Sequence, residues 1–110
     1  MLKVGIDNVG GKFVHDNDVY TVKDNTHLNN LVVSSTALKS GKNTSGHSHE
    51  GQEEVYYFTE GTGKMKINDM NFPVSSGDIA LIDDGEYHQV FNNSDSVLKF
   101  VCVFDGNRNH

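Results

Sequence analysis

Three side chains of the kind that hold metals lie close together in the stretch GKNTSGHSHEGQEEVYYFTEG, residues 41–61: His47, His49 and Glu54. Successive side chains of an extended chain point to opposite sides, so the imidazoles of His47-Ser48-His49 project the same way. Glu54 opens a second extended run, residues 54–59, rich in strand-favouring types. The short 50–53 connection can swing its carboxylate back toward the rings. Neutral imidazoles and a carboxylate suit Zn, Mn, Fe, Co, Ni or Cu. Taken singly, each of these residues reads as an ordinary solvated group in a polar loop. Glu50 is a competing carboxylate, and Glu53 lies on the opposite strand face from Glu54. A fourth ligand should lie elsewhere, and the search for it leads to His88.

The elements that must position these groups read as short strands separated by turns. Gly10-Gly11 sets a loosely held arm, residues 1–11, apart from an extended Lys12-Phe13-Val14, and Asp16-Asn17-Asp18 is a turn. Residues 19–22 form a strand. The polar run 24–30 is a loop in which His27 is solvated. Residues 31–38 form a strand with Leu31 and Val33 on one face and Val32 on the other. After the turn at 61–63, Lys64-Met65-Lys66-Ile67 alternates charge with apolar side chain, the mark of a strand with one wet face. A hairpin turn at 68–71 leads to a return at 72–74, where Pro73 sits at a strand edge or start.

Residues 79–82, IALI, are expected to be buried on both faces. Residues 87–91 carry His88. After a turn at 92–95 comes a last strand, 97–104, apolar on both faces apart from Lys99. Its outer face needs a cover, and a second copy of the chain could supply one, which leads to an expected homodimer. The polar tail 105–110 ends in His110, outside any site. Many short strands, frequent turn signals and almost no helix pattern point to an all-β, antiparallel barrel.

At 110 residues the chain has room for one domain, residues 1–110, around one core. A net charge of −6 with scattered basic residues argues against nucleic acid and anionic membranes as partners. The single cysteine, Cys102, reads as a small buried hydrophobe and cannot form an internal disulfide, so the cytoplasm is the default setting. The first residues lack a signal-peptide pattern, and no apolar run approaches the length of a membrane span.

The spacing of the stretch also carries a resemblance. Gly41, five residues, His47, one, His49, four, Glu54, six and Gly61 is similar to the first motif of the cupin superfamily. Gly77, five residues, Asp83, one, Gly85, two, His88, three and Asn92 resembles the second, with Asp83 where that family usually has proline. The resemblance implies a small barrel of the double-stranded β-helix, or jelly-roll, type. It also implies one divalent transition metal per chain held by His47, His49, Glu54 and His88. Four protein ligands leave a five- or six-coordinate ion with one or two positions for water or substrate.

The family's reactions are diverse, so the resemblance points to a class and not to a reaction. The expectation is a metal-dependent enzyme acting on a small oxygenated substrate, a sugar derivative or an oxo or hydroxy acid. Isomerisation or epimerisation would use Glu54 or Tyr56 as the catalytic proton-transfer group, and oxygenation would need a redox-active metal. The alternative is a non-catalytic, metal-dependent module that binds a small molecule. Tyr56, Phe58 and Val90 should line the interior while Tyr57 points outward; Met65 and Ile67 are core. Asn92 either orients His88 or serves the turn, and Glu86 and Tyr87 read as surface residues at the mouth.

Overall fold

The structure, a computed structural model, describes residues 1–106; the expectation for His110 falls outside the described residues. Nine strands make up the described fold: β1 (Lys12–Asp16), β2 (Tyr20–Asn25), β3 (Leu31–Leu38), β4 (Glu54–Glu60), β5 (Thr62–Ile67), β6 (Met70–Ser75), β7 (Ile79–Ile82), β8 (His88–Phe91) and β9 (Leu98–Asp105). They form two antiparallel sheets, a larger one ordered β1-β2-β3-β9-β4-β7 and a smaller one ordered β6-β5-β8. No helix among the described residues is long and apolar enough to cross a membrane. The all-β architecture is that of the expected double-stranded β-helix.

Period-two alternation decides what faces inward. In β4, Glu54, Tyr56 and Phe58 are buried while Val55 and Tyr57 are exposed. In β9, Leu98, Phe100, Cys102 and Phe104 are buried. Antiparallel register sets these inward residues side by side, Glu54 opposite Phe104, Tyr56 opposite Cys102 and Phe58 opposite Phe100. The Phe100 ring stacks on Tyr56 at 5.3 Å between centroids and meets Phe58 at 5.4 Å. Met65, Val90 and Leu38 close the core from the other strands. Ile67 packs against it from a half-buried position.

Local chemistry places the turns. Asn68 takes a positive φ of 51° in the two-residue connection between Ile67 and Met70, a conformation that asparagine tolerates better than most residues. Gly63 has no positive φ, but a Cβ there would lie 2.6 Å from the Phe91 carbonyl oxygen, so the close approach of β5 and β8 admits only glycine.

Three expectations need correction. Residues 79–82 are not buried on both faces: Ile79 is 62% and Leu81 71% exposed, with only Ala80 and Ile82 inward. The reason is topological, since β7 is the last strand of the larger sheet and has the core on one side only. The first eleven residues are not wholly loose: Val9 is buried, and its carbonyl accepts from Asn25 Nδ2 at 2.7 Å. The polar run from 24 is partly strand, because β2 continues to Asn25.

Replacing Phe58 with alanine would empty the centre of this core. A loss of about 3–5 kcal/mol is expected, read as a lower urea midpoint at an unchanged slope. A cost under about 1 kcal/mol would show that the aromatic cluster does not carry the fold.

Candidate metal centre

The backbone delivers the histidines. His47 and His88 pair as an isolated antiparallel bridge, exchanging His88 N–H to His47 O at 2.9 Å and His47 N–H to His88 O at 3.2 Å. A pair of this kind puts both side chains on one side of the sheet. Residues 47–49 are therefore not a regular strand, as the spacing predicts, but one bridge followed by a loop. The consequence expected from alternation still holds, because His47 and His49 are half-buried while Ser48 between them is exposed. Their ring centroids are 4.6 Å apart.

Upstream, the chain runs beside β8 without forming a named strand. Thr44 N–H donates to the Val90 carbonyl at 2.9 Å, and Thr44 Oγ1 accepts from the Val90 N–H at 2.9 Å. Downstream, the Gly85 N–H donates to the His49 carbonyl at 3.1 Å, and the Gly51 N–H to Asp84 Oδ1 at 2.6 Å. The loops carrying the two halves of the site are thus joined to each other on both sides of the bridge.

Glu54 enters from the facing sheet as the first inward residue of β4 and is 5% exposed. Ligand atoms of His47, His49 and Glu54 all lie within 4.8 Å of one another. His88, 2% exposed, joins this group: its Nε2 lies 3.5 Å from Glu54 Oε1, and its ring centroid is 4.4 Å from that of His47 and 6.3 Å from that of His49. A contact of 3.5 Å is long for a charge-assisted hydrogen bond, for which about 2.7–2.9 Å is usual. Two ligand atoms sharing a metal at about 2.0–2.1 Å stand roughly 3–3.4 Å apart at cis or tetrahedral angles. The residues present fit an ion.

The tautomer of His88 is set by its neighbour two residues earlier. Nδ1 lies 3.0 Å from the Glu86 carbonyl, which can only accept, so Nδ1 carries the proton and Nε2 presents its lone pair to the cluster. Beyond the long contact to Glu54, buried Nε2 has no hydrogen-bond partner among the described residues, which leaves its lone pair open to an ion.

Glu86 does more than its surface reading implied. Its Oε1 accepts from the Asp83 N–H at 2.8 Å, its own N–H donates to the Asp83 carbonyl at 3.1 Å, and its Oε2 accepts from Asn68 Nδ2 at 2.9 Å. Proline at position 83 would have no N–H to give. The aspartate thus adds the N–H···Oε1 bond that proline could not make, completing a reciprocal pair, and Glu86 holds the turn that leads to His88. The interval Asp83-Asp84-Gly85-Glu86 held this signal, an acidic residue three positions after a turn opener.

Other candidates fall elsewhere. Glu50 and Glu53 are exposed. Tyr56 is buried, edge-on to His88 at 5.6 Å, and Cys102 is core. His27 is an exposed turn residue whose N–H donates to Asn25 Oδ1 at 2.9 Å. Tyr87 covers Gly46 and donates its hydroxyl to Gln89 Oε1 at 3.2 Å. Asn92, of the two roles open to it, serves the turn: Nδ2 donates to the Leu38 and Ser96 carbonyls at 2.9 and 2.8 Å, and Oδ1 accepts from Ser94 Oγ at 2.7 Å.

A cavity of about 130 Å³ opens beside the cluster. Its walls include His47, Glu54 and Tyr56, with Ser34 and Thr36 of β3 supplying hydroxyls.

Asn92→Ala is expected to lower stability by about 1–3 kcal/mol while the metal content per chain stays unchanged, as checked by urea unfolding and elemental analysis. A fall in metal content with intact folding would return Asn92 to the site.

Among proteins of known sequence, residues 35–104 match the family model of the cupin domain. The chain is 35% identical over 66 residues to the oxalate-binding protein of Thermotoga maritima, a match that covers 60% of this chain and 54% of that protein. It spans about half the length of the relatives it matches by sequence. Its fold is similar to that of a predicted oxalate decarboxylase from Thermotoga maritima, with a TM-score of 0.78 at 21% identity, covering 93% of this chain and 98% of that one. It also resembles a cupin-2 domain protein of Rhodospirillum rubrum, with a TM-score of 0.82 at 16% identity, over 92% and 73% of the two chains. With both histidine-bearing motifs brought to one point between two antiparallel sheets and the family model matching well over half of its length, the chain belongs to the cupin family.

Proposed function

We propose that His47, His49, Glu54 and His88 hold one divalent transition metal, and that the site binds and transforms a small oxygenated acid about the size of oxalate. The observation that carries this reading is the convergence of three imidazoles and a buried carboxylate, two of which, His47 and Glu54, line a cavity of about 130 Å³. Drug-sized ligands occupy pockets of roughly 300–1,000 Å³, whereas a cavity of about 150 Å³ takes a single small ring. Size therefore favours a short oxo or hydroxy acid over an extended sugar derivative. The name of the Thermotoga maritima relative supports the same class of ligand.

Bound there, a divalent ion supplies Lewis acidity toward the ligand's oxygens. The protein's own part is to orient and to exclude water. The bridge and the Glu86 carbonyl fix the direction of the His88 lone pair. Tyr56, held between Phe100 and His88, is the group placed to give or take a proton in an isomerase or epimerase type of reaction, with Glu54 as the alternative. A dioxygenase type of reaction would draw on the same site with a redox-active ion. The second reading is a non-catalytic binding module, and the word "binding" in that relative's name favours it.

Protein purified without an affinity tag is expected to carry close to one metal per chain, and His47→Ala, His49→Ala or His88→Ala to lose most of it. Calorimetry should show oxalate binding that disappears after chelation and returns with metal. Metal content unaffected by all three substitutions would sink the site. Oxalate that binds but is recovered unchanged, with no product from related acids by mass spectrometry, would favour the binding module over the enzyme.

We propose further that the protein is a cytoplasmic homodimer of single-domain chains. Register aligns two outward rows across four strands, Val33-Val103-Val55-Leu81 and Ser35-Val101-Tyr57-Ile79. Seven of these eight side chains are apolar or aromatic; Val55, Tyr57, Ile79 and Leu81 are exposed, Val33, Val101 and Val103 half-buried and Ser35 buried, and an exposed apolar patch of this kind is commonly covered by a partner. Leu81→Glu combined with Val55→Glu is expected to convert a dimer into a monomer in light scattering without loss of metal. A wild-type chain already monomeric at high concentration would end this part of the proposal.

A further inference from the structure

β1 pairs with β2 through an irregular register: Phe13 lies opposite Lys23, but His15, two residues on, lies opposite Val22. Val14 is the extra residue of a β-bulge. In a regular pairing Val14 would take the place opposite Val22, and His15 would fall opposite Thr21 on the outer face of the sheet. Phe13 already points outward, where the Lys23 ammonium lies over its ring at 4.6 Å. The bulge lets consecutive residues share a side, and both Val14 and His15 line the cavity that His47, Glu54 and Tyr56 wall from across the sheet. The ring of His15 stacks on Tyr20, 5.3 Å between centroids and 20° between planes, which limits its freedom at the cavity rim.

The composition of the wall gives this position its meaning. Among the described residues no lysine or arginine lines the cavity, and Asp24 contributes a negative group. Apart from His47, His15 is the only nitrogen-bearing side chain among the described residues that line it. An acidic ligand anchored at the cluster would find hydroxyl groups along β3 and one imidazole contributed by β1.

We propose that His15 is a specificity-determining residue, donating a hydrogen bond to the oxygen of a small acid that points away from the metal cluster. This rests on the functional reading above and extends it, since the bulge in β1 then serves to aim a ligand contact. Asp24 in the same wall disfavours ligands that carry more negative charge than the metal and His15 can offset. The His15-Tyr20 stack supplies the flat rim against which a planar acid can lie.

The test is oxalate binding by calorimetry to metal-loaded full-length protein, wild type against His15→Ala and His15→Gln. A hydrogen bond to a charged group predicts a loss of roughly tenfold or more in His15→Ala, partial recovery in His15→Gln, which keeps a donor, and identical metal content in all three. Equal oxalate affinity in wild type and His15→Ala would overturn the assignment while leaving the metal-site reading intact. Failure of metal-loaded wild type to bind oxalate at all would overturn both. Equal losses in His15→Ala and His15→Gln, accompanied by a lower thermal midpoint without ligand, would make the residue structural and also overturn the assignment.

Discussion

The pair of main-chain hydrogen bonds between His47 and His88 is the constraint on which the site rests. It joins two residues 41 positions apart and decides, before any side-chain torsion is chosen, that two imidazoles leave the sheet in the same direction. Thr44 and Val90 continue the contact on one side, and the bonds from Gly51 and Gly85 close it on the other. A metal placed among flexible side chains would have to order them at the moment of binding; here most of that ordering is done by folding.

Glu54 shows what such an arrangement costs. Register sets it in the row Val32-Phe104-Glu54-Ile82, where every other member is apolar and buried. A carboxylate brought out of water into that row loses several kcal/mol unless charge or hydrogen bonds compensate it. A hydrophobic residue there would complete a better core. That this row of the sheet carries an acid is a sign of function, because natural chains break the pattern of their own core where chemistry requires it.

Much of this was legible from residue type and spacing. The strand-favouring run 54–59, with its period of two, placed Glu54, Tyr56 and Phe58 together, and the two-residue interval between His47 and His49 held even though only a single bridge precedes the loop there. The bounds of β3 and β7 were equally readable. What alternation could not supply was the neighbour of each strand. An apolar run such as Ile79-Ala80-Leu81-Ile82 looks alike in the middle of a sheet and at its edge, and only the pairing with β4 alone tells them apart. The long-range order that sets β9 between β3 and β4 has no local signature. Neither has the bulge at Val14, which is why His15 passed unnoticed, and the carbonyl of Glu86 was hidden because main-chain atoms are the same in every residue.

Cys102 lies in the row behind Tyr56, is 4% exposed and forms part of the cavity wall. Thiolates react only where a reagent can reach them, and this one lines the space where a ligand would lie. The native chain therefore carries a built-in accessibility gauge: the rate at which a small alkylating agent modifies its single sulfhydryl measures how often the interior admits a visitor, and an occupant in place would slow that clock.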